Sequence, residues 1–174
     1  MRAPDVTPTQ IERFFSEDEI IVSKTDLKGR ITYANHVFLN IAGYREAEIL
    51  GQPHNIIRHP DMPRCVFKLL WDTLEAKQEI FAYVKNMAKT GDHYWVFAHV
   101  TPTFDERGSV IGYHSSRRVP ERQQVELFDD VYRQLLSEER KHADWRSGME
   151  AAGKMLREII SAKGMEYEEF IFSV

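Results

Sequence analysis

Residues 80–118 read IFAYVKNMAKTGDHYWVFAHVTPTFDERGSVIGYHSSRR, and this stretch decides the fold. Ile80–Met87 reads as a strand, Thr90-Gly91-Asp92 as a turn and His93–Pro102 as a second strand. In the second strand Tyr94, Val96, Ala98 and Val100 alternate with Trp95, Phe97 and His99, so an apolar set points to each face. A strand built this way is covered on both sides. The chain turns again over Asp105–Gly108, and Val110–Arg118 returns. Neither link can hold a crossover helix, so the three strands run antiparallel.

Two more strands precede them. Glu19–Thr25 and Arg30–Ala34 flank a turn at Asp26–Gly29, with Ile31 and Tyr33 expected on one face. Asn35 is placed to cap a helix carrying Val37, Phe38 and Ile41, which Gly43 ends. A short helical turn at Glu46–Leu50 closes at Gly51. Pro53, Pro60 and Pro63 exclude a long helix from residues 52–63, and Pro63 can open the next one. Cys65, Val66, Leu69, Leu70 and Leu74 follow helical spacing, with Phe67 and Trp71 flanking and an end near Ala76–Gln78. The expectation is an α+β fold: a five-stranded antiparallel sheet, short helices on one side, and a pocket between them.

Residues 1–18 read as an arm with an apolar cluster at Ile11, Phe14 and Phe15, and 19–119 as the compact unit. Residues 120–174 form a helical extension. Its first helix, Glu121–Leu136, carries Val125, Phe128, Val131, Tyr132 and Leu135 on one face, and a second helix spans Gly148–Ala162. The tail MEYEEFIFSV looks exposed. These amphipathic helices offer a surface for dimerisation or for a receptor; alternatively they fold back on the sheet.

The 174 residues are 43% hydrophobic and 29% charged, with a formal net charge of -4 and no basic cluster, which argues against nucleic-acid binding. Cys65 is the single cysteine, so no intrachain disulfide and no CxxC site exists. There is no 18-residue apolar run, and MRAPDVTPTQ lacks an apolar signal core, so a cytoplasmic location is expected. No GxSxG, Walker A or HExxH pattern occurs, and no enzymatic activity is expected. Asp105-Glu106 and Asp129-Asp130 read as a turn and a solvated helix face.

Two motifs carry a resemblance. NIIRHPDMP (Asn55–Pro63) and VKNMAKTGDHYWV (Val84–Val96), with ITYAN and IGYHSSR around them, are similar to the PAS domain of the bacterial aerotaxis receptor type. The resemblance covers about residues 10–120. It implies a PAS fold, non-covalent FAD and a redox sensor for aerotaxis or energy taxis. It also implies a membrane chemoreceptor-like partner and a homodimer. By the same resemblance Arg58, His59 and Asp61 match ribityl and nucleotide contacts, Asn35 and Asn86 match family positions, and Trp71 matches the central-helix tryptophan. A second tryptophan common before the third strand is absent here, where Gln78-Glu79-Ile80-Phe81 stands.

The residues themselves are compatible with that reading. Trp71, Phe67, Phe81 and Trp95 can wall a flat apolar slot, Asn86 and Asn35 offer donor and acceptor groups to a ring edge, and Arg58 suits a phosphate. Alternatively, Trp71 and Phe67 simply pack the core. A second class is a haem b gas sensor with an axial histidine from His54, His59, His93, His99 or His114; a third is a cofactor-free interaction module. His93 and His36 are expected at the surface. Cys65, in Met62-Pro63-Arg64-Cys65-Val66, does not match an adduct-forming light-sensor motif and reads as a small buried side chain.

Overall fold

Two aspartates shape the tight turns. In a computed structural model, which describes residues 6–173, Asp26 accepts hydrogen bonds from the Lys28 and Arg30 amides at 2.8 Å each. Asp105 does the same for Arg107 and Ser109 at 2.9 and 2.8 Å. The first turn joins β1 (Ile21–Thr25) to β2 (Ile31–Ala34). The second joins β4 (His93–Phe104) to β5 (Val110–Arg118), and β3 (Ile80–Met87) pairs with β4 from the other side. The five strands form one antiparallel sheet in the order β2-β1-β5-β4-β3. The first hairpin therefore docks beside the last strand, with Ile21 opposite Arg117 and Thr25 opposite Tyr113.

The β1–β2 register slips between Lys24 and Thr25. The pleat of β2 is broken accordingly: Ile31 and Ala34 are buried, whereas Tyr33, expected beside Ile31, is exposed. The arm is also less loose than its composition suggests. β5 pairs with β4 only as far as Phe97, and beyond that point residues 11–13 bridge to His93, with Arg13 N–H on His93 O at 2.7 Å and His93 N–H on Ile11 O at 2.8 Å. His93, expected at the surface, is buried by this addition. Met1–Asp5, the start of the arm, lie outside the described residues.

One face of the sheet carries α1 (His36–Ala42), α2 (Glu46–Ile49), a 3-10 turn at His54–Ile57, and α3 (Arg64–Glu75). Asn35 begins α1: its Oδ1 accepts from the Phe38 and Val22 amides, both at 3.0 Å, and its Nδ2 donates to Ile20 O at 2.7 Å. One side chain thus caps a helix and fastens it to β1.

The opposite face of β3 and β4 is covered by α4 (Arg122–Arg140) and α6 (Tyr167–Ser173), while α5 (Trp145–Ser161) packs against α4, α3 and α6. Tyr132 of α4 donates its hydroxyl to Tyr83 O at 2.6 Å, Tyr167 of α6 donates to Phe81 O at 2.9 Å, and Phe128 stacks on Tyr83 with centroids 4.3 Å apart. The extension folds back on the sheet because that face is aromatic and needs cover. The tail is helical, with Phe170 and Ile171 buried; Val174 lies outside the described residues. α4 and α5 cross so closely at Gly148 that a Cβ there would lie 2.4 Å from Glu139 O.

Candidate ligand cavity

Strand alternation assembles the cavity. Val84 and Asn86 of β3, Ala98 and Val100 of β4, Tyr113, Ser115 and Arg117 of β5, and Ser23 and Thr25 of β1 face α3 across a space of about 250 Å³. Phe67, Leu70, Trp71 and Leu74 of α3 form the facing wall. The Trp71 ring meets Tyr113 edge-on at 5.4 Å. It also lies against Gly29, where an added Cβ would come within 3.3 Å of Cη2, and Gly29 has φ 71°. That glycine is required both by the turn and by the tryptophan.

The RHPD segment covers the open edge of β3. Arg58 makes an isolated antiparallel bridge to Asn86, and the Lys85 amide donates to Met62 Sδ at 3.3 Å. An uncovered edge would invite pairing with another chain, and this loop blocks it. Arg58 lines the cavity, its guanidinium 4.1 Å from the Phe67 ring centroid and its Nη2 directed to Met62 O at 3.4 Å.

His59, the next residue, is buried beside His93, with ring centroids 5.8 Å apart. Its Nδ1 accepts from the Asp61 amide at 3.1 Å, and burial followed by the nearby Lys85 pushes its pKa down to about 4. Asp61 lies 3.5 Å from Lys85 Nζ, which also approaches Asp129 of α4 at 3.7 Å. His59 and Asp61 therefore belong to a charged cluster with α4 rather than to the cavity lining.

Of the anticipated contacts, Arg58, Phe67, Trp71 and Asn86 line the cavity; Asn35, His59, Asp61, Phe81 and Trp95 do not. Asn35 spends its polar atoms on the α1 cap. Phe81 and Trp95 occupy the odd-numbered face of β3 and β4, beneath α4 and α6: Phe81 stacks on His99 at 4.2 Å and meets Phe172, and Trp95 stacks on Tyr132 at 6.2 Å. Alternation with period 2 puts them one full sheet thickness from the walls they were expected to form.

Among the five histidines considered for haem, only His54 and His114 line the cavity. His54 Nε2 lies 3.0 Å from Ser23 Oγ, and burial, then the Arg117 charge, push its pKa down to about 3. Cys65 is outside the lining, and burial raises its thiol to about 12. Among the described residues, no group of three or more His, Cys, Asp or Glu is arranged to hold a metal ion.

Sequence reasoning missed Ser23, Tyr113 and Arg117. The available signal was the spacing of Tyr113, Ser115 and Arg117, two apart on β5. Arg117 matters most electrostatically. The lining includes Lys28, Arg58 and Arg117 but no Asp or Glu, so the cavity is an apolar slot of one sign of charge. Its chemistry suits a flat ligand that carries negative charge.

Residues 31–117 match a family model described as PAS fold. The chain is 39% identical over 127 residues to the aerotaxis receptor of Escherichia coli (strain K12), covering 73% of this chain and 25% of that protein. It is 30% identical over 99 residues to a nitrogen fixation regulatory protein of Klebsiella pneumoniae, covering 57% of this chain and 20% of that protein. The chain thus spans a quarter or less of these two relatives. The light-state structure of the blue-light photoreceptor Aureochrome1 LOV superposes with a TM-score of 0.57 at 19% identity, over 62% of this chain and 86% of that one. No helix among the described residues is long and apolar enough to cross a membrane.

Proposed function

Given that this chain belongs to the PAS fold family and is related to the aerotaxis receptor, we propose that it binds FAD non-covalently in the cavity and reports redox state to a partner. The observation that carries this reading is the cavity's lining: aromatic walls from Phe67, Trp71 and Tyr113, aliphatic ones from Leu70, Leu74, Val84 and Val100, three cations, and no carboxylate. The cavity volume of about 250 Å³ suits a ring system, with the remainder of a dinucleotide running out past Arg58 and Lys28. Arg58 presents a donor fork suited to a phosphate, while Trp71 and Tyr113, in edge contact with each other, form one wall for the ring. Asn86 offers one amide that can either donate to or accept from a ring edge. When bound, FAD would supply the redox chemistry; the protein supplies position and electrostatics.

The output route in this reading runs through two contacts. α3 carries the cavity wall, and its first turn is held from α4 by Glu139, which accepts from the Cys65 amide at 3.1 Å. β3 carries Asn86 to the cavity and offers the Tyr83 carbonyl to Tyr132 of α4. A change of hydrogen-bond demand at Asn86 is thereby placed one residue layer from α4. We assign residues 19–119 to sensing, 120–174 to output and the arm to bracing. The partner of this proposal is a membrane chemoreceptor-like signalling protein, and the chain acts in the cytoplasm as a homodimer.

Colour tests the ligand. The purified protein should absorb at about 450 nm if it carries flavin, whereas haem would give a much stronger band at about 400 nm. A colourless protein that takes up no added FAD would reject the reading. Hydrogen exchange over α4–α6, compared between oxidised and reduced protein, tests the route; identical protection in both states would reject it.

A further inference from the structure

Arg117 lines the cavity with only 2% of its surface exposed. Its Nη2 donates to Ser23 Oγ, whereas Nε and Nη1 have no hydrogen-bond partner among the described residues. Ser23 in turn meets His54 Nε2 at 3.0 Å. Since Ser23 Oγ accepts from Arg117, its proton is free to go to His54, which fits an imidazole held neutral by burial. The Tyr94 hydroxyl, another neighbour in Arg117's field, is fully buried and also has no hydrogen-bond partner among the described residues. The Phe38 ring lies 4.6 Å from the guanidinium. That cation–π contact offsets only part of the cost of taking a charge out of water. Burial draws the Arg117 pKa down to about 10, so the group stays charged at neutral pH.

Native proteins rarely leave such donors unmet, so each one calls for a partner, whether a buried water, an ion or a bound group. We propose that Arg117 is the ligand's counter-charge: it pairs with an anionic or carbonyl oxygen at the buried end of the bound molecule and so selects ligands that are electron-rich there. The proposal rests on the FAD reading only for the identity of that molecule. Two kinds of FAD oxygen share this chemistry, those of the ring's pyrimidine edge and those of the phosphates.

The experiment compares the wild-type chain with Arg117→Met and Arg117→Lys. FAD and riboflavin are titrated against each by ring fluorescence, and the ligand-free proteins are melted. Arg117→Met should weaken FAD at least tenfold, Arg117→Lys should recover part of that loss, and ligand-free Arg117→Met should melt no lower than wild type. An equal loss for riboflavin, which lacks phosphate, assigns the contact to the ring edge; a loss confined to FAD assigns it to phosphate. Unchanged FAD affinity in Arg117→Met overturns the proposal and leaves the FAD reading standing. A ligand-free Arg117→Met that melts well below wild type makes Arg117 a structural strut satisfied by buried water, which also overturns it. If wild-type protein binds no FAD, the FAD reading fails, and the ligand-free melts still decide whether the charge is stranded.

Discussion

A histidine kept neutral inside a folded chain makes that chain sensitive to acid. His54 and His59 have pKa values lowered to about 3 and about 4, chiefly by burial, with Arg117 adding to the first and Lys85 to the second. In the unfolded chain both take a proton near pH about 6.5. Below that value the unfolded state binds more protons, so the stability owed to neutral histidine is complete above about 6.5 and is lost as pH falls toward 4. For His59 the displacement corresponds to about 3 kcal/mol at most. Asp92 and Glu48, whose carboxyls are lowered to about 2, act only below the ordinary carboxylate range, outside this window. Urea midpoints should therefore fall between pH 7.5 and 5, and His59→Asn, which keeps an acceptor for the Asp61 amide, should flatten the fall; parallel pH curves for the two proteins would refute the assignment. Gly29→Ala is the second test at this scale. It forces a Cβ into a positive-φ turn and against Trp71, so it should cost about 1 kcal/mol or more and shift the tryptophan emission. Gly29 was readable as a turn glycine from its neighbours. Its contact with Trp71, 42 positions away, was not, because nothing local encodes it.

At the scale of elements, the two helix starts make an instructive pair. α1 is capped by Asn35, its own preceding residue, and that was legible from the sequence. α3 follows Pro63, which has no side-chain acceptor, and its cap is Glu139 of α4: the carboxylate accepts from the Cys65 amide and lies 4.0 Å from Arg64. A cap supplied 74 residues downstream leaves no local trace. An anion at a helix N-terminus, buried, answers both the unmet amides and the macrodipole. Glu139→Ala should thus destabilise the protein by about 1–2 kcal/mol in urea with an unchanged slope, and Glu139→Gln, which keeps an acceptor oxygen, by less. Equal losses in the two variants would show that packing, not the cap, holds Glu139 in place. The strands repeat the lesson. Alternation along β4 separated Val96 and Ala98 from Trp95 and Phe97 correctly, yet both sets are apolar, so period alone could not say which faced α3. That is why Phe81 and Trp95 were expected in the cavity while Tyr113 and Arg117 of β5 were overlooked.

For the whole molecule, the question is what the extension protects. The sheet has two apolar faces: α1–α3 cover one, and the other, built from Phe81, Tyr83, Trp95 and Phe97, is closed by α4 and α6 through Phe128, Tyr132 and Phe172. Each large apolar side chain on that face stabilises the fold by about 1.5–3 kcal/mol when covered. A chain ending after residue 119 would lose this cover while keeping the five strands and all of the cavity lining. It would also lose Glu139 from the start of α3 and Asp129 from Lys85. Four aromatic residues would then form one contiguous exposed patch, a surface that soluble monomers seldom tolerate. Covering it with a second copy is the simplest relief, since the patch is self-complementary in character and a closed pair satisfies both. Sedimentation velocity should accordingly show the residue 1–119 fragment associating as concentration rises, and Phe81→Ser with Phe97→Ser should return it to a monomer. A fragment that stays monomeric and folded across the same concentrations would mean that the exposed face carries too little driving force to pair, and that α4 and α6 serve some purpose other than shielding it.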